Sequence, residues 1–320
     1  MGVRNYSTVN KRIASVDPWF ISGLYDAESS FVVVILRNPS YKTGWSVQTR
    51  VQIKMHEKDR ALLLKIKEYF GGIGNITKPN KNLTVEYRVY SLNDIINFIL
   101  PHFDKYPLVT KKYTDYLLFK QIVFTMLNKE HVTIEGIQKI VNIRASLNTG
   151  LSESLKEAFP NTEPVSISEL NSILQKKLNL DWMAGFCTGE SNFFITVQKS
   201  KTKSGLAVSL RFSVAQHSRD LLLLESFVDF FGCGYTVNYK NRLICEYIVT
   251  KIDDITEVII PFFEEHNILG SKYINYLDFK DASTIIKNKD HLNQEGLEKI
   301  LQLKNKMTSF YKNTSINNHN

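Results

Sequence analysis

Two glutamates, Glu28 and Glu190, each close a short segment of small and apolar residues: ISGLYDAESSF over 21–31 and MAGFCTGESNF over 183–193. Superimposing the segments puts Gly23 on Gly185, Glu28 on Glu190 and Phe31 on Phe193. Carboxylates brought side by side repel each other unless a proton or a cation lies between them. Hard oxygen donors of this type suit Mg²⁺, which keeps several waters and bridges to phosphate oxygens. Either glutamate alone reads as a solvated residue at a helix end, and only the shared register makes the two a candidate site. Asp26 falls outside that register because its counterpart is Thr188, so a capping or hydrogen-bonding role suits it better.

The register extends far beyond the glutamates. RVQIKMHEKD from Arg50 falls on RFSVAQHSRD from Arg211, and EYFGG from Glu68 on DFFGC from Asp229. PHFDKYPLVTKKYTDYLLFK from Pro101 falls on PFFEEHNILGSKYINYLDFK from Pro261, and the NKEH segment from Asn128 on NKDH from Asn288. Matched blocks in one preserved order imply two homologous domains. The division reads as residues 1–150 with a basic arm over 1–16, a Ser/Pro-containing linker over 151–178 with one short helix, a second domain over 179–309, and a disordered polar tail over 310–320.

Each copy predicts the same elements. Asp17 and Pro18 form a cap and first-turn pair for a helix running to about Glu28, and Asn179 can cap its counterpart. A β-branched and aromatic strand follows, then a loop holding Gly44 or Gly205, then a strand of strict alternation. In WSVQTRVQIK, Trp45, Val47, Thr49, Val51 and Ile53 share one face while Ser46, Gln48, Arg50, Gln52 and Lys54 share the other. Its counterpart opposes Ser209, Arg211 and Ser213 to Val208, Leu210, Phe212 and Val214. A helix, two more strands and closing helices complete an α+β repeat of order αββαββα, with helices covering one face of a four-stranded antiparallel sheet.

ISGLYDAES and MAGFCTGES resemble the paired signature of the LAGLIDADG homing endonucleases, in the single-chain, two-motif branch typical of fungal mitochondrial introns. The resemblance covers nearly the whole chain apart from arm, linker and tail. It implies that the two motif helices pack at a pseudo-twofold axis, for which Ser22, Gly23 and Ala27, with Ala184, Gly185 and Gly189, supply small residues. Interior helical glycine costs about 1 kcal/mol relative to alanine, so its presence in both copies suits a packing demand. The resemblance also implies metal binding by Glu28, Glu190 and the carbonyls of Ala27 and Gly189, with Mg²⁺ as the ion and Mn²⁺ or Ca²⁺ able to replace it in binding. A glutamine near the end of the second strand is expected in such proteins; Gln216 matches it, whereas the first copy has Met55. Lys54, Lys240 and Lys111 are the candidate cations beside the phosphate. Both motifs depart from the common form in carrying serine, Ser29 and Ser191, where glycine usually closes the motif. His56 and His217 read as hydrogen bonders at the strand-to-helix turn, and His131 and His291 as capping or packing residues.

On this reading two curved sheets form a saddle over double-stranded DNA, with a β-ribbon in the major groove. Arg50 and Arg211 suit guanine edges, and Gln48 and Gln52 suit adenine. Ser46, Ser209, Ser213, Arg88, Gln198 and Asn238 join them as candidate readers. Arg37, Asn38, Lys42, Lys78, Asn80 and Lys81, with Lys199, Lys201 and Lys203, are candidate phosphate contacts. Because the two faces differ in sequence, an asymmetric target is expected, cut on both strands to leave 3′ overhangs. The alternative is an intron maturase of the same fold that binds intron RNA and has reduced or no nuclease activity.

Composition agrees with this class. Among 320 residues, 40 Lys+Arg against 32 Asp+Glu give a charge of +8, which favours a polyanionic partner. No apolar run is long enough to span a bilayer, so no membrane partner is expected. The N-terminal arm lacks the apolar core of a secretory signal. Three cysteines at irregular spacing fit neither a disulfide framework nor a zinc site, and point to a reducing compartment. With both carboxylates in one chain, a monomer is expected, and the resemblance places it in the mitochondrion.

Overall fold

The computed structural model describes residues 16–167, 178–201 and 205–312, with side chains through 307. The basic arm, part of the linker, Lys203 and the end of the polar tail lie outside the described residues.

Each half opens on the motif helix: α1 (Pro18–Glu28) and, later, α8 (Leu180–Glu190). Asp17 accepts a hydrogen bond from Trp19 N at 2.8 Å, and the Asn179 side chain accepts from Asp181 N and Trp182 N. These bonds satisfy amides that the first helical turn leaves unpaired. Both helices stop where serine turns extended, at φ −92° for Ser29 and φ −78° for Ser191. Each Oγ donates to the carbonyl four residues back, Tyr25 or Cys187, at 2.6 Å. The helix ends need no left-handed residue, so serine closes both motifs without strain.

The chain then enters the sheets directly. β1 (Ser29–Arg37) pairs antiparallel with β2 (Trp45–His56), which pairs with β4 (Thr84–Val89), itself flanked by the short β3 (Asn75–Ile76). The second half repeats this with β5 (Ser191–Lys199), β6 (Leu206–His217), β8 (Ile244–Val249) and β7 (Tyr235–Tyr239), so the orders are β1-β2-β4-β3 and β5-β6-β8-β7. Helices cover one face of each sheet. In the first half these are α2 (Arg60–Tyr69), α3 (Leu92–Asp94), α4 (Leu100–Lys105), α5 (Lys112–Leu127), α6 (Ile134–Ala145) and the linker helix α7 (Glu153–Ala158). In the second they are α9 (Leu221–Phe231), α10 (Ile252–Asp254), α11 (Ile260–Glu265), α12 (Lys272–Lys287) and α13 (Gln294–Lys312). The last helix runs three residues into the stretch expected to be disordered. None of the described helices is long and apolar enough to cross a membrane.

Both halves also share a device absent from the sequence reading. A π turn, Ile95–Ile99 or Ile255–Ile259, precedes the helical proline Pro101 or Pro261. Proline lacks an amide hydrogen and crowds the preceding turn, so widening that turn keeps the helix continuous.

Each core lies between sheet and helices. In the first, Phe31, Val33, Val51, Ile53 and Tyr87 pack on Leu63, Ile66, Phe103 and Phe119. The described first part of the linker packs on the first domain: Phe159 lies on Trp45 with ring centroids 5.0 Å apart, and Leu155 and Val165 rest on the first core. The outer strand face is less uniform than its alternation suggests. Ser46 is nearly covered at 8% exposed, and Ser213 is wholly buried with its hydroxyl unpartnered, which corrects Ser213 as a base reader: its side chain does not reach solvent. Gln48 and Ser209 are exposed, while Arg50, Gln52 and Arg211 are half-buried.

Candidate active site

The halves meet where α1 crosses α8. A Cβ on Gly23 would collide with the Trp182 carbonyl oxygen and lie 2.7 Å from Phe186 N, while one on Gly185 would collide with the Phe20 carbonyl. The two backbones thus approach more closely than any side chain allows. Ala184 of the second helix joins the first core, and Trp19 and Ala27 of the first helix pack on the second. Asp26, buried at this crossing, accepts hydrogen bonds from Trp182 Nε1 (2.8 Å), Val109 N (2.7 Å), Thr110 N (3.2 Å) and Thr110 Oγ1 (2.6 Å). Its counterpart Thr188 takes one such bond, from Leu269 N at 3.2 Å. Asp26 is therefore engaged as a hydrogen-bond hub.

Below the crossing the helix ends converge. A Cβ on Gly189 would collide with the Ala27 side chain and lie 3.0 Å from Glu28 Cγ and 3.3 Å from Glu28 Oε1. Glycine next to Glu190 thus leaves room for the other glutamate. Burial, then the charge of Glu28, pushes Glu190 up to about 7, against the opposing pull of a Gln216 hydrogen bond, Lys272 and Lys112. Burial also raises Glu28; Lys272 and Lys112 oppose the rise and Asp59 adds to it.

Lys112 and Lys272 were not singled out by the sequence reading. Lys112 Nζ donates to the carbonyls of Tyr25 (3.1 Å) and Ala27 (3.4 Å), and Lys272 Nζ to those of Cys187 (3.4 Å) and Gly189. Burial lowers both, Lys272 to about 8, while Glu28 and Glu190 hold their charge in place. A usable signal existed: of the two adjacent lysines at 111 and 112, only Lys112 keeps a lysine at the matching position of the second copy, because Lys111 falls on Ser271. Lys111 contributes its backbone amide to Asp220 at 3.1 Å.

Lys54 lines a cleft of about 400 Å³ with Glu28, Gly189, Asp59 and Lys272, so it faces the carboxylates from the strand side. Its counterpart in the second half is Ala215, and that of Met55 is Gln216, so the two half-sites differ. Lys240 sits in the exposed turn after β7, with no described contact to either glutamate. His56 and His217 accept the amides of Lys58 and Arg219 through Nδ1 at 3.1 Å, the turn role expected of them. On the sheets, Arg211 pairs with Glu246 at 2.5 Å and Arg88 with Glu86 at 2.8 Å, so both guanidiniums are already oriented by an acid. Arg37, Lys42, Lys78, Asn80, Lys81, Gln198, Lys199, Lys201 and Asn238 are exposed, and Asn38 is half-buried.

Among the described residues no group of three or more His, Cys, Asp or Glu is arranged so that it could hold a metal ion by itself. The candidate ligand set at the crossing is the two glutamates with the carbonyls of Ala27 and Gly189, which also accept from Lys112 and Lys272. That oxygen-only set fits a hard divalent ion completed by water and phosphate.

A match to the LAGLIDADG endonuclease description covers residues 21–123 and 183–283, one copy in each half. The chain belongs to the LAGLIDADG endonuclease family. It is 53% identical over 321 residues to the probable intron-encoded endonuclease 2 of Neurospora crassa, spanning 95% of this chain and 70% of that one. Among solved structures, the homing endonuclease I-SmaMI bound to cleaved DNA superimposes with a TM-score of 0.86 at 42% identity, covering 90% of this chain and 95% of that one. I-SmaMI bound to uncleaved target DNA in the presence of calcium ions gives 0.87 at 41% identity, covering 91% and 99%. The two-sheet, two-repeat α+β architecture of this LAGLIDADG protein is thus the one its sequence implied.

The raised Glu190 has a measurable consequence. Its folded value, about 7, exceeds the ordinary 4.5, so the folded state binds more protons across that window. Without metal, this group lowers stability progressively as pH rises from about 4.5 to about 7, by on the order of 3 kcal/mol. His102, which burial lowers to about 3, acts in the opposite sense below 6.5, so the informative comparison is between variants at each pH. In EDTA, Glu190→Gln is expected to match wild type at pH 4.5 and to exceed it increasingly up to pH 7.5 in urea denaturation. A pH-independent difference would contradict the burial argument.

Proposed function

We propose that this LAGLIDADG endonuclease is a monomeric, site-specific homing enzyme that hydrolyses both strands of a long, asymmetric double-stranded DNA target. The observation that carries the reading is the convergence, from two halves of one chain, of two half-buried carboxylates flanked by two half-buried lysines. Glu28, Glu190 and the carbonyls of Ala27 and Gly189 would hold the metal, with Mg²⁺ the expected ion. When bound, it supplies Lewis-acid polarisation of phosphate and hydroxide at neutral pH. Gln216 holds the Glu190 carboxylate in one orientation through its amide. Lys112 and Lys272 bring positive charge to the position where phosphate becomes more negative, in a half-buried site where that charge is screened less than in open water.

The sheet surface suits a nucleic-acid partner. Arg50, Gln52 and Arg211 are half-buried on the outer strand face, so part of each side chain stays open to a base edge. The exposed loop lysines add sequence-independent affinity that weakens with salt. Unequal half-sites and unequal strand faces support an asymmetric target, and the fold family supports 3′ overhangs. Kinship with intron-encoded fungal proteins supports a mitochondrial setting.

Selection of cleaved molecules from a randomised duplex library with Mg²⁺ is expected to return one long, non-palindromic consensus, with no products in EDTA. A palindromic consensus, or cutting without divalent metal, would overturn the proposal.

A further inference from the structure

The chemistry above leaves unused two buried aspartates, each shared between the halves. Asp59 closes the 3₁₀ turn Glu57–Asp59 after β2. Its Oδ1 accepts Ser271 N at 2.6 Å and its Oδ2 accepts Ser271 Oγ at 3.0 Å. Ser271 caps α12, whose first residue is Lys272. Asp220 occupies the same place in the second repeat and accepts Lys111 N at 3.1 Å. Lys111 caps α5, whose first residue is Lys112. Each aspartate therefore holds the start of a helix belonging to the opposite half, where a carboxylate also meets the positive end of the helix dipole.

We propose that Asp59 and Asp220 are positioning residues for the two lysines, Asp59 setting Lys272, which donates to the Gly189 carbonyl, and Asp220 setting Lys112, which donates to the Ala27 carbonyl. Asp59, Lys272 and Glu28 line the same cleft. Gly270 leaves room for the clamp, for a Cβ there would collide with Asp59 Oδ1. A lysine at the first position of a helix has its Cα fixed by the preceding cap, so releasing the cap frees the whole side chain from its carbonyl partners.

The two clamps are unequal. The segment before Lys112 is also held by Asp26, through Val109 and Thr110, whereas the segment before Lys272 has Asp59 and the single bond from Leu269 N to Thr188. Loss of Asp59 should therefore cost more than loss of Asp220, and on a different DNA strand.

This inference rests on the nuclease reading, so wild type and Glu28→Gln are assayed beside the clamp variants. The substrate is a plasmid carrying the duplex recovered by library selection, with nicking of each strand followed separately in Mg²⁺. Asp59→Ala is expected to slow one strand by about tenfold or more, equivalent to losing roughly 1.4 kcal/mol of transition-state stabilisation, with nicked circles accumulating. Asp220→Ala should slow the other strand by a smaller factor. Asp59→Asn, which keeps an acceptor for Ser271 N, should recover most of the loss. If Asp59→Ala fails to fold, Ser271→Ala, which removes only the Oδ2 bond, replaces it and should slow the same strand more mildly. Equal slowing of both strands, no slowing of either, or an asparagine variant no better than alanine would overturn the clamp. Failure of wild type to cut, or cutting by Glu28→Gln, would instead overturn the nuclease reading beneath it.

Discussion

Glu28→Gln and Glu190→Gln are each expected to abolish DNA cleavage while leaving duplex affinity within about tenfold of wild type, about 1.4 kcal/mol. Glutamine preserves size and one oxygen but cannot become an anion, so it withdraws the charge that a divalent ion and its bound water need. Affinity depends instead on the sheet faces and loop cations, which neither substitution touches. The pair is coupled, and a second readout follows from that. The charge of Glu28 is the second cause, after burial, of the rise in Glu190, so Glu28→Gln should bring the titration of Glu190 down from about 7. Cleavage and gel-shift assays on the selected duplex, the latter in Ca²⁺, check the first claim; carboxyl titration by NMR checks the second. Metal-dependent cutting by the double variant would end the assignment of both residues.

Gly23→Ala and Gly185→Ala are expected to be severely damaging despite adding a single methyl group. In an exposed helix, glycine to alanine would add about 1 kcal/mol of stability. Here the added methyl lands on a backbone carbonyl of the facing helix, which no rotamer change can relieve. Separating α1 from α8 would also loosen the Asp26 to Trp182 hydrogen bond and spread the glutamates. The net loss should be about 3 kcal/mol or more, in the range reserved for overpacking of rigid sites. Gly44→Ala is the contrasting control: its φ is +73° but nothing lies within 4 Å of the added carbon, so only the backbone strain of about 1 kcal/mol should appear. Urea denaturation of the three variants distinguishes them, and a mild effect at Gly185 would mean that the helices have room to separate.

Much of the site was legible because it is written twice. Glu28 and Glu190 stood out by register, as did the small residues around them, and the alternation of β2 and β6 placed Arg50 and Arg211 on the outer face. The lysines were only partly legible. Lys54 lines the cleft beside Glu28, but the sequence analysis left out Lys112 and Lys272, which share a register in the two copies and enter the site from helices far along the chain. Ser213 departs from the expectation for a different reason: alternation assigns a face, but a small side chain near packed neighbours can lie on the outer face and still be covered.

Local sequence was sufficient for what depends on neighbouring residues: caps at Asp17 and Asn179, helix ends at Glu28 and Glu190, strand faces, and the duplication that implies two halves. Contacts between the halves had to come from the folded chain: the repeat register matches Asp59 to Asp220 and Ser271 to Lys111, but nothing in it says that each aspartate bonds across to the other half. The ionisation of Glu190 and Lys272 likewise depends on burial and on charges brought in by other segments, so it is a property of the assembled crossing and of no single stretch of sequence.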